Sequence, residues 1–555
     1  MRRILPDLAL AALLAALGWA VYHRALGLWL TYDDFFHLHY LHTSTPAEYL
    51  LKPEVWQRLP FKMITPLLFL SFDLDLALFG LDAHAFLVHQ LVSFSLCVAA
   101  LYLVLRLWLP RSWAAFGTLL FVLGPVIASI APLLFVRHYV EATLLSLLAV
   151  GLYVLALRRA RSWPLATLSA VLYLLAMLAK EIAVPLVFLL LLLPEGTLRR
   201  RLTLAAPHAA AFVLYFAYRL YMLGTFNGGY GFLVDPVDLP RLALLLPGKI
   251  GKELLGHPSA ASWAMLAALL IGLGIVLLKG RAVALLVGAS VLLALLPILP
   301  VSTEMVPRYA MPAWMVLVLA FPFAVRSLMD RDGAVRLAGA GLALVAAAGT
   351  LVAHLDAREA VFAKVERMSA ENRAFLEMGP GDFLREPLGP PASMGELEWL
   401  KKDLLKKRPG AGWFYDDFFL CKNSELGRVW TWDPAHRRVE NVTASLPRLR
   451  RRHCSAIREG APLTVEMHAA GRTLHWTLGP YRDGKYSFVL GDGIQAFPMP
   501  ANGGFQLRQP GALALRIRYQ SPEAWTTYSP ELAMDFRQSP SFRWARPSRI
   551  SGSPP

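Results

Sequence analysis

Charge is scarce in this chain. Only 17% of its 555 residues are Asp, Glu, Lys or Arg, while 56% are hydrophobic; soluble domains carry about a quarter charged. That deficit argues against a water-soluble globular protein and for many membrane-crossing helices. Acids are scarcer still, 39 against 55 basic residues, for a formal net charge of +16. No basic patch is interleaved with aromatics, which argues against a nucleic-acid partner. The surplus of Lys and Arg fits cytoplasmic loops instead. There are three cysteines. Cys97 falls in an apolar run and reads as core. Cys421 and Cys454 share the polar C-terminal part and can pair if it faces an oxidising compartment. No Walker or dinucleotide signature is present, and no internal repeat of useful length. The first apolar run is long and reads as an uncleaved helix.

Long Leu- and Ala-rich runs predict spans near 6–26, 85–107, 113–131, 139–157, 164–179, 182–194, 203–223, 259–278, 282–300, 309–326 and 334–353. Those at 164–179 and 182–194 are short for a ~30 Å hydrocarbon core and read as a tilted or re-entrant hairpin. Arg2 and Arg3, Arg106 and Arg111, Arg158 to Arg161, Arg199 to Arg201, Lys279 and Arg281, and Arg326 to Arg336 mark one face as cytoplasmic. Eleven spans then leave the C-terminus outside. Past 354 the composition changes. The expected organisation is a transmembrane domain over 1–353, a helical linker over 354–410, a mainly β outer domain over 411–540 and a flexible tail over 541–555. Runs such as PLTVEMHA, TLHWTL, YSFVL and ALALRIRY carry the strand signal.

Ionisable groups at membrane depth are costly and functional by default. Several stand at the outer ends of spans: Asp33 and Asp34 in YDDFF, Arg137, His138 and Glu141, Lys180 and Glu181, and Glu304 and Arg308. Arg58 and Lys62 of the first outer loop are candidates for the same cavity. Each alone is explained by boundary duty, snorkelling or ion pairing. Together they suggest a cavity in which a carboxylate takes a proton and cations hold a phosphate.

The order YDDFFHL, then FKMITPLLFLSFDLDLALFG, then LLAMLAKEIAVPLVF, then VPRYAMPAWMVL resembles the GT-C glycosyltransferases over about residues 1–353. It is most similar to the protein O-mannosyltransferase and aminoarabinose-transferase branch. The resemblance implies a polytopic helical fold and a polyprenyl-phosphate sugar as donor substrate, with no cofactor. The acceptor would be a periplasmic protein, lipid or glycan, and the site an inner membrane of a bacterium. It implies a first-loop acid, Asp33 or Asp34, as catalytic base, and Lys180 and Arg308 as donor-phosphate contacts; the outer-end charge of Arg137 makes it a candidate for a further one. Asp-Asp stands here where the protein mannosyltransferases have Asp-Glu, so which acid is the base stays open.

The second YDDFF, at 415–419, lacks companion membrane charges and reads as a coincidence of strand and turn. A glycan patch of Trp413, Phe414 and Tyr415 is the alternative. His84 and His89 read as interfacial. His37, His39 and His42 lack the i, i+4 spacing of a helical zinc pair, so no metal is expected. Two rival functions differ in signature. A transporter or flippase needs midplane charges and pseudo-symmetry, and an envelope-assembly scaffold tolerates loss of the acids. The charge pattern predicts that alkaline phosphatase fused to the C-terminus is active. Activity of a cytoplasmic reporter at that end would overturn the topology.

Overall fold

Backbone in hydrocarbon must satisfy its own hydrogen bonds, so membrane-length apolar runs become helices. The computed structural model describes residues 5–57, 64–159, 162–224, 239–299, 305–377, 382–384, 400, 421, 427–433, 435–436, 438–470, 473–490, 495–506, 512–535 and 541–546. Among the described residues, seven helical stretches are long and apolar enough to cross a membrane: Leu5–Gly27, Ala83–Leu105, Leu134–Arg158, Ala260–Leu277, Arg281–Leu299, Pro307–Met329 and Gly333–Glu377. They coincide with seven of the expected spans. Two shorter apolar helices, Trp163–Ala179 and Glu181–Leu192, occupy the expected short hairpin.

The chain forms two compact units, Met1–Trp29 with Tyr40–Glu366, and Leu30–His39 with Arg367–Pro555. The first unit begins with α1 (Leu5–Tyr22). The acidic helix α2 (Asp34–His42) follows, shared between the units, and then the short α3 (Pro46–Leu51) and α4 (Pro53–Gln57). A capping box starts α3, with Thr45 and Glu48 bonding reciprocally. Thr45 backbone N–H and Lys52 hold the Glu48 carboxyl down at about 2. Next come α5 (Pro66–Phe79) and α6 (Ala83–Leu105).

The single span expected at 113–131 is instead two helices, α7 (Arg111–Val122) and α8 (Pro125–Ala128). Proline at 125 has no N–H for the ladder and keeps the preceding residue extended, so the run breaks at Gly124. Glycine is required there for another reason: a Cβ would sit on the buried indole of Trp314.

The unit continues with α9 (Arg137–Arg158), α10 (Trp163–Ala179), α11 (Leu186–Leu192), α12 (Leu198–Leu223), α13 (Leu239–Leu255), α14 (Ala260–Leu277), α15 (Arg281–Leu295), α16 (Met311–Met329) and α17 (Gly333–Glu377). The expected linker at 354–410 does not begin as a separate element. Its first part is the continuation of α17. Arg24 anchors that helix: its Nε and Nη2 bond Glu366 at 2.6 and 3.0 Å, and its Nη1 bonds Glu359 at 2.9 Å.

The arginine-rich ends are capped. Arg106 and Arg111 each reach Asp7 at 2.8 Å. Arg158 pairs with Glu195, which also accepts from Trp108 Nε1 at 2.8 Å. That guanidinium holds the Glu195 carboxyl below its ordinary value. Arg200 and Arg201 donate to the carbonyls of Arg159 and Leu193.

The second unit is mainly β, as alternation of apolar and polar residues predicts. β1 (Asp382–Leu384), β2 (Val429–Asp433) and β3 (Arg438–Asn441) make a small sheet. The helix α18 (Leu446–Ser455) follows, and its Cys454 is bonded to Cys421 with Cα atoms 5.5 Å apart. Two larger sheets are built from β4 (Leu463–Ala470), β5 (Thr473–Gly479), β6 (Lys485–Leu490), β7 (Gln495–Met499), β8 (Asn502–Gln506), β9 (Ala512–Gln520), β10 (Thr526–Tyr528), β11 (Leu532–Asp535) and β12 (Ser541–Arg546). One sheet has the order β10-β9-β6-β7, with β11 also on β9; the other has the order β12-β4-β5-β8.

Every second residue points inward, so Leu463, Val465 and Met467 meet Leu474, Trp476, Phe488 and Ile517 in one core. Residues 541–546, expected to open a flexible tail, form an edge strand on β4. Phe542 and Trp544 pack against that core, while outward Arg543 faces its register partner Glu466 at 2.8 Å. The alternation Phe-x-Trp accounts for the difference.

Deep in the first unit, Arg137 is fully buried and its Nη1 bonds Asp75 at 2.6 Å. Removing one partner of such a pair leaves a buried charge uncompensated, at about 3–5 kcal/mol. Asp75→Ala should therefore lower the unfolding temperature in detergent far more than an exposed control such as Glu459→Ala. A loss under about 1 kcal/mol would show that the pair is not structural.

Candidate active site

The acidic motif lies at the start of α2. Tyr32 precedes it with φ +47°, a left-handed conformation that a bulky residue adopts only when held there. Asp33 occupies the N-cap position, its carbonyl accepting from His37 N–H at 3.0 Å. Its side chain is exposed, whereas Asp34 is 1% exposed. Asp34 Oδ2 accepts from Thr31 N–H at 2.7 Å. The two neighbouring acids therefore differ: one faces outward and the other is turned back onto its own loop. The loop is pinned from far away in sequence. The buried Asn372 of α17 donates to Leu30 O at 3.1 Å. His37 is buried, with its ring edge-on to Phe36 at 5.9 Å.

The first unit gathers its own set of charges around the turn Phe135–Glu141. Arg308, in the short 3-10 helix before α16, lies over the Phe135 ring at 5.3 Å and over Tyr309 at 5.2 Å. Lys180 ends α10 in an extended conformation, 5% exposed. Its Nζ lies 5.5 Å from the Tyr139 ring centre and 2.9 Å from Glu181. Behind it, Arg219 of α12 bonds the Tyr215 hydroxyl at 3.2 Å. His138 tilts against Tyr139 at 4.8 Å. Of the three cations named from sequence, Lys180 and Arg308 thus meet residues of the turn to which Arg137 itself belongs.

Arg137 differs from the other two. Its Nη1 also donates to Ser71 Oγ at 3.0 Å, and its Nη2 to Phe86 O at 2.6 Å. The rings of Phe72 and Phe86 face its guanidinium at 4.8 and 5.8 Å. With 0% exposure and these partners it is built into the wall. The buried carboxylate that engages it, Asp75, went unnoticed in the sequence. It sits in the amphipathic run of the first loop with no local signal that it faces an arginine 62 residues on. Glu141 stands on the same network, in electrostatic reach of Arg137, His89 and Asp75. Arg58, Lys62 and Glu304, and the second YDDFF at 415–419, lie outside the described residues.

Two other features stand apart from this turn. A pocket of about 580 Å³ is lined by Thr43, Ser44, Glu48, Lys52, Glu54 and Tyr221 among others, and holds none of the three cations. In the second unit Asp433, His436 and Glu440 cluster within 4.8 Å. Asp433 caps its own turn through Ala435 N–H at 2.8 Å, and Arg438 takes Glu440 at 2.8 Å. The His436 hydrogen bond holds the Asp433 carboxyl below its ordinary value.

No family model matches the chain, and no curated protein does. Solved structures give looser likenesses. The apo oligosaccharyltransferase of Archaeoglobus fulgidus aligns at 13% identity and TM-score 0.45, covering 64% of this chain and 56% of that one. The chain thus spans little more than half the length of that protein. Its complex with Zn and sulfate aligns at 12% and TM-score 0.46, covering 89% and 72%. ArnT from Cupriavidus metallidurans bound to undecaprenyl phosphate aligns at 14% and TM-score 0.44, covering 78% and 94%. With TM-scores below 0.5, these likenesses fix neither the reaction nor its residues.

The turn Phe135–Glu141 makes one prediction. Lys180 pairs with its neighbour Glu181, and Arg308 packs on aromatic faces, so truncating either should leave the fold intact. Lys180→Ala and Arg308→Ala should weaken polyprenyl-phosphate sugar binding by about tenfold or more, the worth of one charge-assisted hydrogen bond. Wild-type affinity in a variant made at normal levels would reduce that residue to a boundary charge.

Proposed function

We propose that the chain is a membrane glycosyltransferase that moves a sugar from a polyprenyl-phosphate donor to an acceptor hydroxyl or amine. The observation that carries this reading is the approach of Lys180 and Arg308 to one turn of α9 and the residues just before it, two cations beside aromatic rings in an apolar unit. Such a setting suits a phosphate on a lipid tail: guanidinium and ammonium supply charge-assisted hydrogen bonds and stabilise the charge that grows as the phosphate leaves. Arg137 holds Asp75 instead of the donor.

The exposed Asp33 is the base and the inward Asp34 its orienting neighbour. Asp33 takes the acceptor proton, the freed electron pair attacks the anomeric carbon, and the bond to phosphate oxygen breaks on the opposite face. The electron pair of that broken bond leaves with the lipid phosphate. Configuration at carbon inverts. The resemblance of YDDFF, AKE and VPRY to their GT-C counterparts supports the same roles. The Cys421–Cys454 bond suits an oxidising compartment for the second unit, which supports transfer on the outer side of a bacterial inner membrane. The acceptor is a protein, lipid or glycan found there.

The experiment is transfer from radiolabelled polyprenyl-phosphate sugars to envelope fractions by the purified full chain. Asp33→Asn keeps size and removes charge, so turnover should fall about 10²–10⁴-fold with donor affinity retained. Asp34→Asn should be milder. Wild-type turnover in both variants would remove the first-loop acids from the chemistry, and no transfer to any fraction would remove the reaction.

A further inference from the structure

His89 lies in the second turn of α6 and takes part in the network that buries Arg137. Its Nδ1 is 2.7 Å from Asp75 Oδ1, while Arg137 Nη1 is 2.6 Å from Asp75 Oδ2. Asp75 is 2% exposed and Arg137 0%, but the His89 side chain is 30% exposed. An aspartate paired with a buried guanidinium is ionised and only accepts hydrogen bonds. The proton between Asp75 and His89 therefore sits on Nδ1. That fixes the tautomer and leaves Nε2 as the unprotonated ring nitrogen of a side chain that is 30% exposed. Arg137 Nη1 also comes within 3.4 Å of Nδ1, a contact with a nitrogen already committed to Asp75.

The charges facing this imidazole are Asp75 from α5 and Arg137 and Glu141 from α9. Asp75 and Arg137 cancel, and Glu141 is shared with Ser71 and Arg137. A protonated ring would gain most from an anion arriving at Nε2. The turn that supplies Arg137 and Glu141 is also the turn on which Lys180 and Arg308 lie, through Tyr139 and Phe135.

We propose that His89 Nε2 contacts the phosphate of the lipid-linked donor, and that His89 takes up one proton from solvent as the donor binds. This rests on the reading of the protein as a polyprenyl-phosphate glycosyltransferase. Arg137, enclosed and paired, acts on the phosphate only by holding Asp75, and so by holding His89. No bond is made or broken in this step. A proton moves from water to Nε2, and the N–H then donates to a phosphate oxygen. The cation is retained by Asp75 on one side and phosphate on the other. Binding is thereby coupled to acidity.

The test uses the full chain in lipid nanodiscs with a polyprenyl-phosphate sugar. That donor is a phosphodiester whose single charge is constant from pH 5.5 to 8.5, so any slope belongs to the protein. Wild-type affinity should fall about tenfold as pH rises through the range in which imidazoles titrate. His89→Gln keeps a donor for Asp75 and cannot charge; it should bind at the wild-type high-pH affinity with no slope. His89→Lys should hold the low-pH affinity throughout. Lys180→Ala should bind more weakly with the slope retained. A pH-independent wild type, or a His89→Gln variant with the wild-type slope, overturns the inference while leaving the donor assignment standing. Absence of donor binding by wild type at every pH overturns the donor assignment itself.

Discussion

A guanidinium with no access to water must find its partners in the protein. Arg137 meets that requirement with Asp75, Ser71 and the Phe86 carbonyl, drawn from α5 and the first turn of α6. These contacts settle where the first turn of α9 begins, because any shift of that turn would strand the charge at several kcal/mol. The rest of the candidate donor site inherits its position from there. Phe135 lies two residues before Arg137 and Tyr139 two after; they carry Arg308 and Lys180 on their faces. A buried ion pair is a poor source of net stability compared with an apolar replacement, but it specifies an arrangement strictly. Here it fixes the turn whose neighbours Phe135 and Tyr139 meet Arg308 and Lys180.

Much of this was legible in the sequence, for local reasons. Apolar length disclosed seven of the crossing helices, and alternation disclosed the strands at 463–470, 473–479, 485–490 and 512–520. Isolated charges at the ends of spans disclosed Lys180 and Arg308. What escaped was non-local. Asp75 looked like one acid of an amphipathic loop helix, because the arginine that claims it is 62 positions away. Asn372 and Arg24 gave no signal at all, since their partners lie 342, 335 and 342 residues distant. His89 read as an interfacial histidine, which its exposure alone would support. Arg137 was grouped with the phosphate contacts because sequence counts a charge without showing whether it is already engaged. The strand at 541–546 was lost in a Pro- and Ser-rich neighbourhood, although its Phe-x-Trp alternation was present.

The opposite, arginine-rich ends of the helices show the same economy of charge. Arg106, Arg111 and Tyr102 surround Asp7, and Arg158 and Trp108 share Glu195. Arg200 and Arg201 cap carbonyls that helices leave unsatisfied at their C-termini. The basic clusters at these ends thus double as helix caps, so their number reflects packing.

The hydrogen bond from Asn372 to Leu30 has a consequence in time. The loop that precedes Asp33 emerges among the first residues of the nascent chain. The amide that holds it is made 342 residues later. At bacterial and eukaryotic elongation rates of about 5–20 residues per second, that interval is roughly 20–70 s. Through those seconds the acidic motif is synthesised but not fastened. A chain cut short before α17 is complete would carry the carboxylates without the contact that holds their loop.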